Sequence, residues 1–166
     1  METREWRGAA DRSKWPAGPW DAEPDKRQWP DPATDLPCLI VRHTALGHLC
    51  GYVGVPLGHP LHGAGGDELD VHGGVTFAGR CQPHPTGGEG EAICHVAGPG
   101  EPDDVWWFGF DCAHHLDESP SDVMLRVRFR LPELLANGER IGTYRDVPYV
   151  TAECAKLATQ LAAVKA

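Results

Sequence analysis

The side chains best suited to chemistry in this sequence are histidines that stand beside carboxylates, glycines and aromatic residues. His59 lies on a glycine-rich loop, His72 lies in the run 70–77, and His114 ends the aromatic run 105–115. Imidazole changes charge near neutral pH and is both a general acid–base group and a common metal ligand. The sequence therefore predicts a polar site to which these three histidines contribute.

The run around His72 has the residue types of a ligand-binding strand. A strand over residues 71–77 would turn alternate side chains to one face, and the polar ones on that face are Asp70, His72 and Thr76. Gly73 and Gly74 would let a ligand or another backbone approach closely. The alternative is an exposed strand face that carries polar residues by chance.

The run around His114 begins as a strand and ends in a carboxylate. Residues 105–110 are aromatic and aliphatic, and Asp111 follows them directly. A carboxylate at the end of a buried strand is costly unless it pairs, binds a cation or orients a histidine. Asp111 could fix the tautomer of His114, or both could bind a metal. Alternatively, Asp111 accepts backbone N–H bonds and caps the turn at 112–115.

Together the two runs offer a mixed set of nitrogen and oxygen ligands, which zinc or manganese would accept: Asp70, His72, Asp111 and His114. The same set suits general acid–base catalysis without a metal, and neither pair has a diagnostic metal-binding spacing. We expect a hydrolase of a phosphoester or nucleotide-type small molecule. His72, His114 and Asp111 would be catalytic, and His59 and Thr76 would contact the substrate.

Two other functions fit the same sequence. A binding protein could sequester a nucleotide-like signal of host defence, because Trp106 and Trp107 point to opposite faces of a strand and one of them is free to stack a base. A predicted strand over residues 123–130 carries Arg126, Arg128 and Arg130 on its wet face, where they could hold phosphate. The third function is inhibition of a host protein through an acidic surface.

Charge and hydropathy narrow the classes of partner. The chain has 166 residues, and 15 basic against 24 acidic side chains give a net charge of −9. That balance argues against general nucleic-acid binding, which needs a cationic surface. The sequence has no apolar run of about 18 residues and no apolar segment at its amino terminus, so we expect a cytoplasmic protein with no membrane span.

The six cysteines are expected to be reduced and mostly buried, since no export signal is visible. One alternative involves the long excursion between the strands at 71–77 and 105–110. There, the pairs Cys81/His84 and Cys94/His95 could clip the chain with a structural zinc ion.

The secondary structure expected around these residues indicates a single α+β domain over 37–166. Residues 38–42 and 49–55 read as a hairpin of a mainly antiparallel sheet. Asp146 can cap a C-terminal amphipathic helix whose apolar stripe is Val150, Cys154, Leu157, Leu161 and Val164. Residues 1–36, rich in proline and tryptophan, are expected to form an extended arm that packs onto the domain.

Several of these motifs resemble a group of small proteins from phages, prophages and actinobacterial genomes. The motifs are Gly-Tyr-Val-Gly-Val-Pro at 51–56, Asp-Val-His-Gly-Gly-Val-Thr-Phe at 70–77, and Trp-Trp-Phe-Gly-Phe-Asp-Cys-Ala-His at 106–114. Tyr144-Arg145-Asp146 before the last helix is also similar, and the resemblance covers most of residues 15–162. It brings no activity with it. It implies a soluble, intracellular, phage-borne accessory protein that acts in the host cytoplasm.

Overall fold

The fold is built on a six-stranded antiparallel sheet. A computed structural model of the chain describes residues 1–83, 88–101, 103–129 and 142–165. Its sheet strands are β1 (Arg4–Trp6), β2 (Lys26–Pro30), β3 (Pro37–Arg42), β4 (Leu49–Pro56), β5 (Phe77–Arg80) and β6 (Val105–Asp111), in the order β1-β2-β3-β4-β6-β5. Two short parallel strands, β7 (Asp117–Glu118) and β8 (Thr143–Tyr144), form a second sheet. A 3₁₀ helix covers Pro19–Ala22, and the α helices are α1 (Pro120–Arg128) and α2 (Val147–Ala163). The predicted α+β class is confirmed.

Helix α2 covers one face of the large sheet. Its predicted cap is present, because the Asp146 carboxylate accepts the Tyr149 backbone N–H at 2.9 Å. The side chains of its apolar stripe that are fully buried against the sheet are Val150, Cys154, Leu157 and Leu161. Each such burial stabilises the fold by roughly 1.5–3 kcal/mol. In the part of the chain that the structure describes, no helix is long and apolar enough to cross a membrane.

The hairpin of β3 and β4 is also confirmed, and a glycine on it lets the helix approach. Ile40 pairs with Gly51 in the antiparallel register. A Cβ atom on Gly51 would lie 2.4 Å from the Phe110 ring and 2.9 Å from Cys154 Sγ. Glycine at 51 therefore allows β6 and α2 to close over the hairpin.

Two stretches of the predicted arm, Arg4–Trp6 and Lys26–Pro30, are strands of the sheet. Strand β2 lies between β1 and β3 and pairs with β3 from Lys26↔Val41 to Pro30↔Pro37. The prolines permit this strand, because Pro24 precedes β2 and Pro30 ends it. Between them, residues 26–29 have every backbone N–H that the ladder needs.

The strand predicted over residues 71–77 is a turn followed by a later strand. The Gly74 backbone N–H donates to the Val71 carbonyl at 2.9 Å, and β5 begins only at Phe77. Gly73 and Gly74 have φ angles of 66° and 86°. This left-handed conformation is incompatible with a strand, so the glycine pair forms a turn. The alternation of polar and apolar residues over 70–77 had indicated a strand instead.

The strand predicted over residues 123–130 is also wrong, because Pro120–Arg128 is helix α1. Ser119 and Asp122 form a reciprocal capping box, with Pro120 in the first turn. The alternating apolar residues do not mark a buried face, since Val127 and Phe129 are exposed. Arg130 lies outside the described residues.

Two cysteines form a disulfide, which corrects the prediction that all six are reduced. Gln82 and Ile93 pair as an isolated bridge, and this brings the neighbouring Cys81 and Cys94 into bonding contact. Because both sulfurs are in the disulfide, Cys81 and Cys94 cannot bind zinc as thiolates, and the alternative of a structural zinc ion is not supported. Of the two histidines in that alternative, His84 lies outside the described residues and His95 is buried. Cys38, Cys112 and Cys154 are free and buried, and Cys50 is free and half-buried.

Candidate functional site

Three segments that are distant in the sequence bring together one group of polar side chains. The turn after residue 71 supplies His72, and the segment after β6 supplies His114 and Asp117. Arg145 lies between β8 and α2, and Tyr149 lies in the first turn of α2. The short strands β7 and β8 set part of this arrangement, because Asp117 pairs with Thr143 and Arg145 directly follows β8. We call these five residues the His72 cluster.

Asp117 lies at the centre of the His72 cluster, and its side chain is only 1% exposed. Its Oδ2 atom accepts hydrogen bonds from His72 Nε2 at 2.7 Å and from the His114 backbone N–H at 3.0 Å. Its Oδ1 atom accepts from Arg145 Nε at 2.8 Å. Burial would raise the pKa of Asp117, but the hydrogen bonds from Arg145 and His72 outweigh it and hold this pKa below the ordinary value. Asp117 is therefore an anion at neutral pH.

The ionised carboxylate determines which nitrogen of His72 carries the proton. A carboxylate can only accept hydrogen bonds, so the proton lies on His72 Nε2. In the neutral ring Nδ1 is then the acceptor, and its partner at 2.9 Å is the Tyr149 hydroxyl. The Glu153 carboxylate also accepts the His72 backbone N–H at 2.8 Å, so α2 holds this histidine at two points.

Tyr149 and Arg145 form the side of the cluster contributed by the start of α2. The Arg145 guanidinium lies 4.7 Å from the centre of the Tyr149 ring, and the rings of Tyr149 and His72 are nearly perpendicular. Burial raises the pKa of the Tyr149 phenol. The hydrogen bond to Asp117 raises the pKa of Arg145. The Arg145 side chain is 27% exposed, and Nη1 and Nη2 form no hydrogen bond with any described residue. Two pairs of N–H donors thus remain for a ligand.

His114 lies beside His72 but is held less tightly. The two ring centres are 5.4 Å apart, and His114 Nδ1 is 3.7 Å from Asp117 and 3.8 Å from Asp111, beyond hydrogen-bond distance. Nδ1 has no hydrogen-bond partner among the described residues, while the side chain as a whole is 34% exposed. A Cβ atom on Gly73 would lie 2.1 Å from His114 Cε1. The close approach predicted for this glycine is made by an imidazole.

The carboxylates predicted from the sequence occupy different positions from Asp117. Asp111 Oδ1 accepts the Ala113 backbone N–H at 3.1 Å, as in the capping alternative, and lies at the edge of the cluster. Asp70 is 81% exposed and pairs with Lys156 at 2.9 Å. Thr76 is exposed, and its backbone N–H donates to the Gly109 carbonyl. The structure brings His72 and His114 together and leaves Asp70 and Thr76 outside.

The remaining predicted ligand contacts lie elsewhere in the fold. His59 Nε2 bonds to the Leu161 carbonyl at the end of α2, about 18 Å along the helix from Tyr149. Trp106 and Trp107 do face opposite sides of β6, but both are used in packing. The Trp106 indole N–H donates to the Ala64 carbonyl at 2.9 Å, and Trp107 is fully buried.

The predicted arginine stripe does not form within the described residues. Arg126 pairs with Glu118 on the surface of α1, and Arg128 lies over the Phe129 ring. Two residues apart on a helix, Arg126 and Arg128 do not share a face. The arginine at the His72 cluster is Arg145 instead.

Sequence reasoning missed four of the residues that build this site, namely Asp117, Arg145, Tyr149 and Glu153. Asp117 lies three residues after His114, and its signal was hidden because Asp111 stands nearer the strand end. Tyr149 and Glu153 are four residues apart on α2, on a face that the apolar stripe leaves free. This pair of polar residues at helical spacing was a signal available in the sequence.

The cluster also has the composition of a metal site, which requires a test against its geometry. One ligand atom each from His72, His114 and Asp117 lie within 4.8 Å of one another. However, both nitrogens of His72 already have partners, and Asp117 Oδ2 already accepts two hydrogen bonds. A metal ion would have to replace the bond between His72 and Asp117. The observed bonds favour an acid–base unit in which Asp117 orients His72.

No protein-family model, curated protein or solved structure matches this chain. The function must therefore be argued from the geometry of the His72 cluster.

Proposed function

We propose that this protein hydrolyses a phosphoester or nucleotide-type small molecule at the His72 cluster. The observation that carries the proposal is the continuous relay from Asp117 through His72 to the Tyr149 hydroxyl, with distances of 2.7 and 2.9 Å. A base held by a buried carboxylate, and bonded on its other side to a hydroxyl, has the arrangement needed to remove a proton.

The chemistry follows from the donors and acceptors around that relay. His72 accepts a proton at Nδ1, and the Asp117 anion stabilises the imidazolium that forms. His114, whose ring centre lies 5.4 Å from that of His72, is the second imidazole of the cluster and would give a proton to the leaving oxygen. Acid–base catalysis of this kind contributes typically about 10²–10⁴-fold to a rate.

Arg145 supports a phosphoryl group as the centre of reaction. Its planar guanidinium is fixed through Nε to Asp117, and the Nη atoms keep donors that match two phosphoryl oxygens. Charge developing on those oxygens in the transition state would be stabilised by donors already in place. A net charge of −9 disfavours long polyanions, which supports a small substrate.

The test uses the purified full chain and a panel of small phosphoesters: p-nitrophenyl phosphate, bis(p-nitrophenyl) phosphate and mono-, di- and cyclic nucleotides. We expect hydrolysis that persists with a chelator present and falls at least about 100-fold in His72→Asn. His115→Asn is the matched control, because His115 is exposed and adjacent to His114. It should hydrolyse at the wild-type rate.

Other outcomes of the same experiment would favour other functions. Hydrolysis that is abolished by the chelator and restored by zinc or manganese would favour the metal-assisted reaction. A nucleotide that binds tightly and is released unchanged on denaturation would favour sequestration. If wild type neither hydrolyses nor binds any compound in the panel, the proposal is contradicted.

A further inference from the structure

The hydroxyl at the end of the relay belongs to the protein itself. His72 Nδ1 is the only ring nitrogen left to act as a base once Nε2 donates to Asp117, and Nδ1 faces Tyr149 Oη at 2.9 Å. The group that this base is aligned to deprotonate is therefore the phenol of Tyr149.

We infer that Tyr149 is the nucleophile of the reaction, which would then pass through a covalent phosphotyrosyl intermediate on Tyr149 Oη. The inference rests on the proposed function. Its geometric basis is the combination that activates a hydroxyl in nucleophilic catalysis: a hydroxyl bonded to a base, and a base oriented by a third group.

Two neighbouring groups suit Tyr149 to this role. Arg145 lies over the ring of Tyr149, so a phosphoryl group on Oη would stand beside the guanidinium. Burial raises the pKa of the phenol, which keeps Tyr149 protonated at neutral pH. The phenol thus depends on His72 to become a nucleophile, and this explains why base and hydroxyl are held in contact.

The two steps balance as follows. In the first step Tyr149 Oη bonds to phosphorus and its proton passes to His72 Nδ1, while the bond from phosphorus to the leaving oxygen breaks. That oxygen takes a proton from His114. In the second step water bonds to phosphorus, its proton passes to His114, and the Oη–P bond breaks as His72 returns the proton to Tyr149.

The experiment traps the intermediate, with bis(p-nitrophenyl) phosphate as the probe. Its leaving group departs without needing a proton, so His114→Asn should retain the first step and slow the second. We expect a burst of one equivalent of p-nitrophenol from this variant. After acid quench, mass spectrometry should find one nitrophenyl phosphoryl group on the peptide that contains Tyr149.

Tyr149→Phe is the second arm of the experiment, because it keeps the ring against His72 and Arg145 and removes only the oxygen. We expect p-nitrophenol release to fall at least about 1,000-fold, with no adduct and a thermal unfolding midpoint lowered by no more than about 4 °C, as loss of one hydrogen bond predicts. Tyr52→Phe is the control, since Tyr52 packs on the opposite face of the sheet from α2. It should behave as wild type.

The outcomes separate the two proposals. If Tyr149→Phe hydrolyses the probe within about 3-fold of wild type and His114→Asn carries no adduct, His72 activates water instead. The assignment of Tyr149 as the nucleophile is then refuted, and the proposed hydrolysis at the His72 cluster is not. If neither the probe nor any panel compound is hydrolysed by wild type, both proposals are refuted.

Discussion

Two groups of side chains in this protein combine arginine, carboxylate and tyrosine, and they differ in how far solvent reaches their unbonded donor groups. The first, which we call the Arg42 network, consists of Arg42, Glu23, Asp25, Arg12 and Tyr144. The second is the His72 cluster. Similar residue types therefore serve two purposes within one small fold.

The Arg42 network is closed to solvent, and the Nη atoms of Arg42 are fully engaged, although its buried Nε atom forms no hydrogen bond with a described residue. The Arg42 side chain is 0% exposed, and its Nη atoms donate to Gly47 and Pro24 carbonyls, to Tyr144 and to Glu23. Asp25 lies beside Arg42 Nε at 3.3 Å and also pairs with Arg12. In this network little hydrogen-bonding capacity remains for a ligand.

The His72 cluster keeps some of that capacity and reaches the surface. Arg145 is bonded through Nε, its Nη atoms form no hydrogen bond with a described residue, and its side chain is 27% exposed. The comparison teaches that residue type does not distinguish a structural network from a candidate active site. Exposure to solvent and the presence of accessible unbonded donors distinguish them.

The largest effect expected to distinguish the two groups is the loss of stability on substitution of Arg42. Arg42→Met would leave Glu23 and Asp25 buried with much less positive charge beside them, which costs about 3–5 kcal/mol in the free energy of unfolding. Arg145→Met should cost much less, because Asp117 keeps its bonds from His72 and the His114 N–H. Urea unfolding of both variants measures the difference. Equal losses would show that the two groups are not energetically distinct.

The next effect is on activity, at Gly73. Gly73→Ala would place a Cβ atom against the His114 ring and would strain a backbone with φ of 66°. Displacing His114 should lower phosphoester hydrolysis roughly 10- to 100-fold. The measurement is the rate of p-nitrophenol release from bis(p-nitrophenyl) phosphate.

The control for Gly73→Ala is Gly58→Ala. Gly58 has φ of 93°, but no atom lies within 4 Å of the point that its Cβ would occupy, so the variant shares the strain without the collision. Its hydrolysis rate should be that of wild type. A similar loss of activity in both variants would mean that backbone strain, not the position of His114, determines the effect.

Acid pH should weaken both groups by the same mechanism. Burial opposes the ionisation of Asp25 and of Asp117, but hydrogen bonds from Arg12 in the first and Arg145 in the second hold each folded-state pKa below its ordinary value. A carboxylate with a lowered folded-state pKa stabilises the fold above its unfolded pKa of about 3.9 and loses that contribution as pH falls through the folded pKa.

The measurement is urea unfolding between about pH 2.5 and pH 6, a range that spans the unfolded pKa, for wild type, Asp25→Asn and Asp117→Asn. Each variant should be less stable than wild type at the upper end of this range and should lose less stability at the lower end. The two effects should add, because the residues belong to separate groups. If the free energy of unfolding of either variant depended on pH as strongly as that of wild type, the lowered pKa of the corresponding carboxylate would be contradicted.

The smallest effect is expected at His59, whose bond to the Leu161 carbonyl supports the end of α2. His59→Ala should lower the free energy of unfolding by about 0.5–1.5 kcal/mol. Because α2 separates His59 from the His72 cluster, the hydrolysis rate should not change. A large loss of hydrolysis without loss of stability would restore His59 as a substrate contact.

Much of the fold could be predicted because its signals are local. The hairpin, strand β6 and helix α2 each follow from a short pattern, such as the Asp146 cap and the stripe from Val150 to Leu161. Strand β2 could not be predicted in this way, since its pairing with β3 and β1 depends on contacts across the sheet. Helix α1 had a local signal in Ser119 and Asp122, and the alternation that follows obscured it.

The candidate site was less predictable than the fold. His72 and His114 stood out by residue type, but Tyr149 lies 77 positions beyond its partner His72. Asp117 reaches the cluster only because the loop after β6 turns back, with Leu116 at φ of 70°. Spacing along the sequence carries no information about such contacts, and composition alone favoured Asp70 and Asp111.

The carboxylate of Glu23 accepts the backbone N–H of Val147, so a residue synthesised 124 positions earlier holds the first turn of α2. Translation supplies Glu23 long before α2, and chains fold as their segments emerge from the ribosome. A nascent chain that has the whole sheet still lacks Arg145, Tyr149 and Glu153. The arrangement of the His72 cluster can thus form only after α2 has been synthesised.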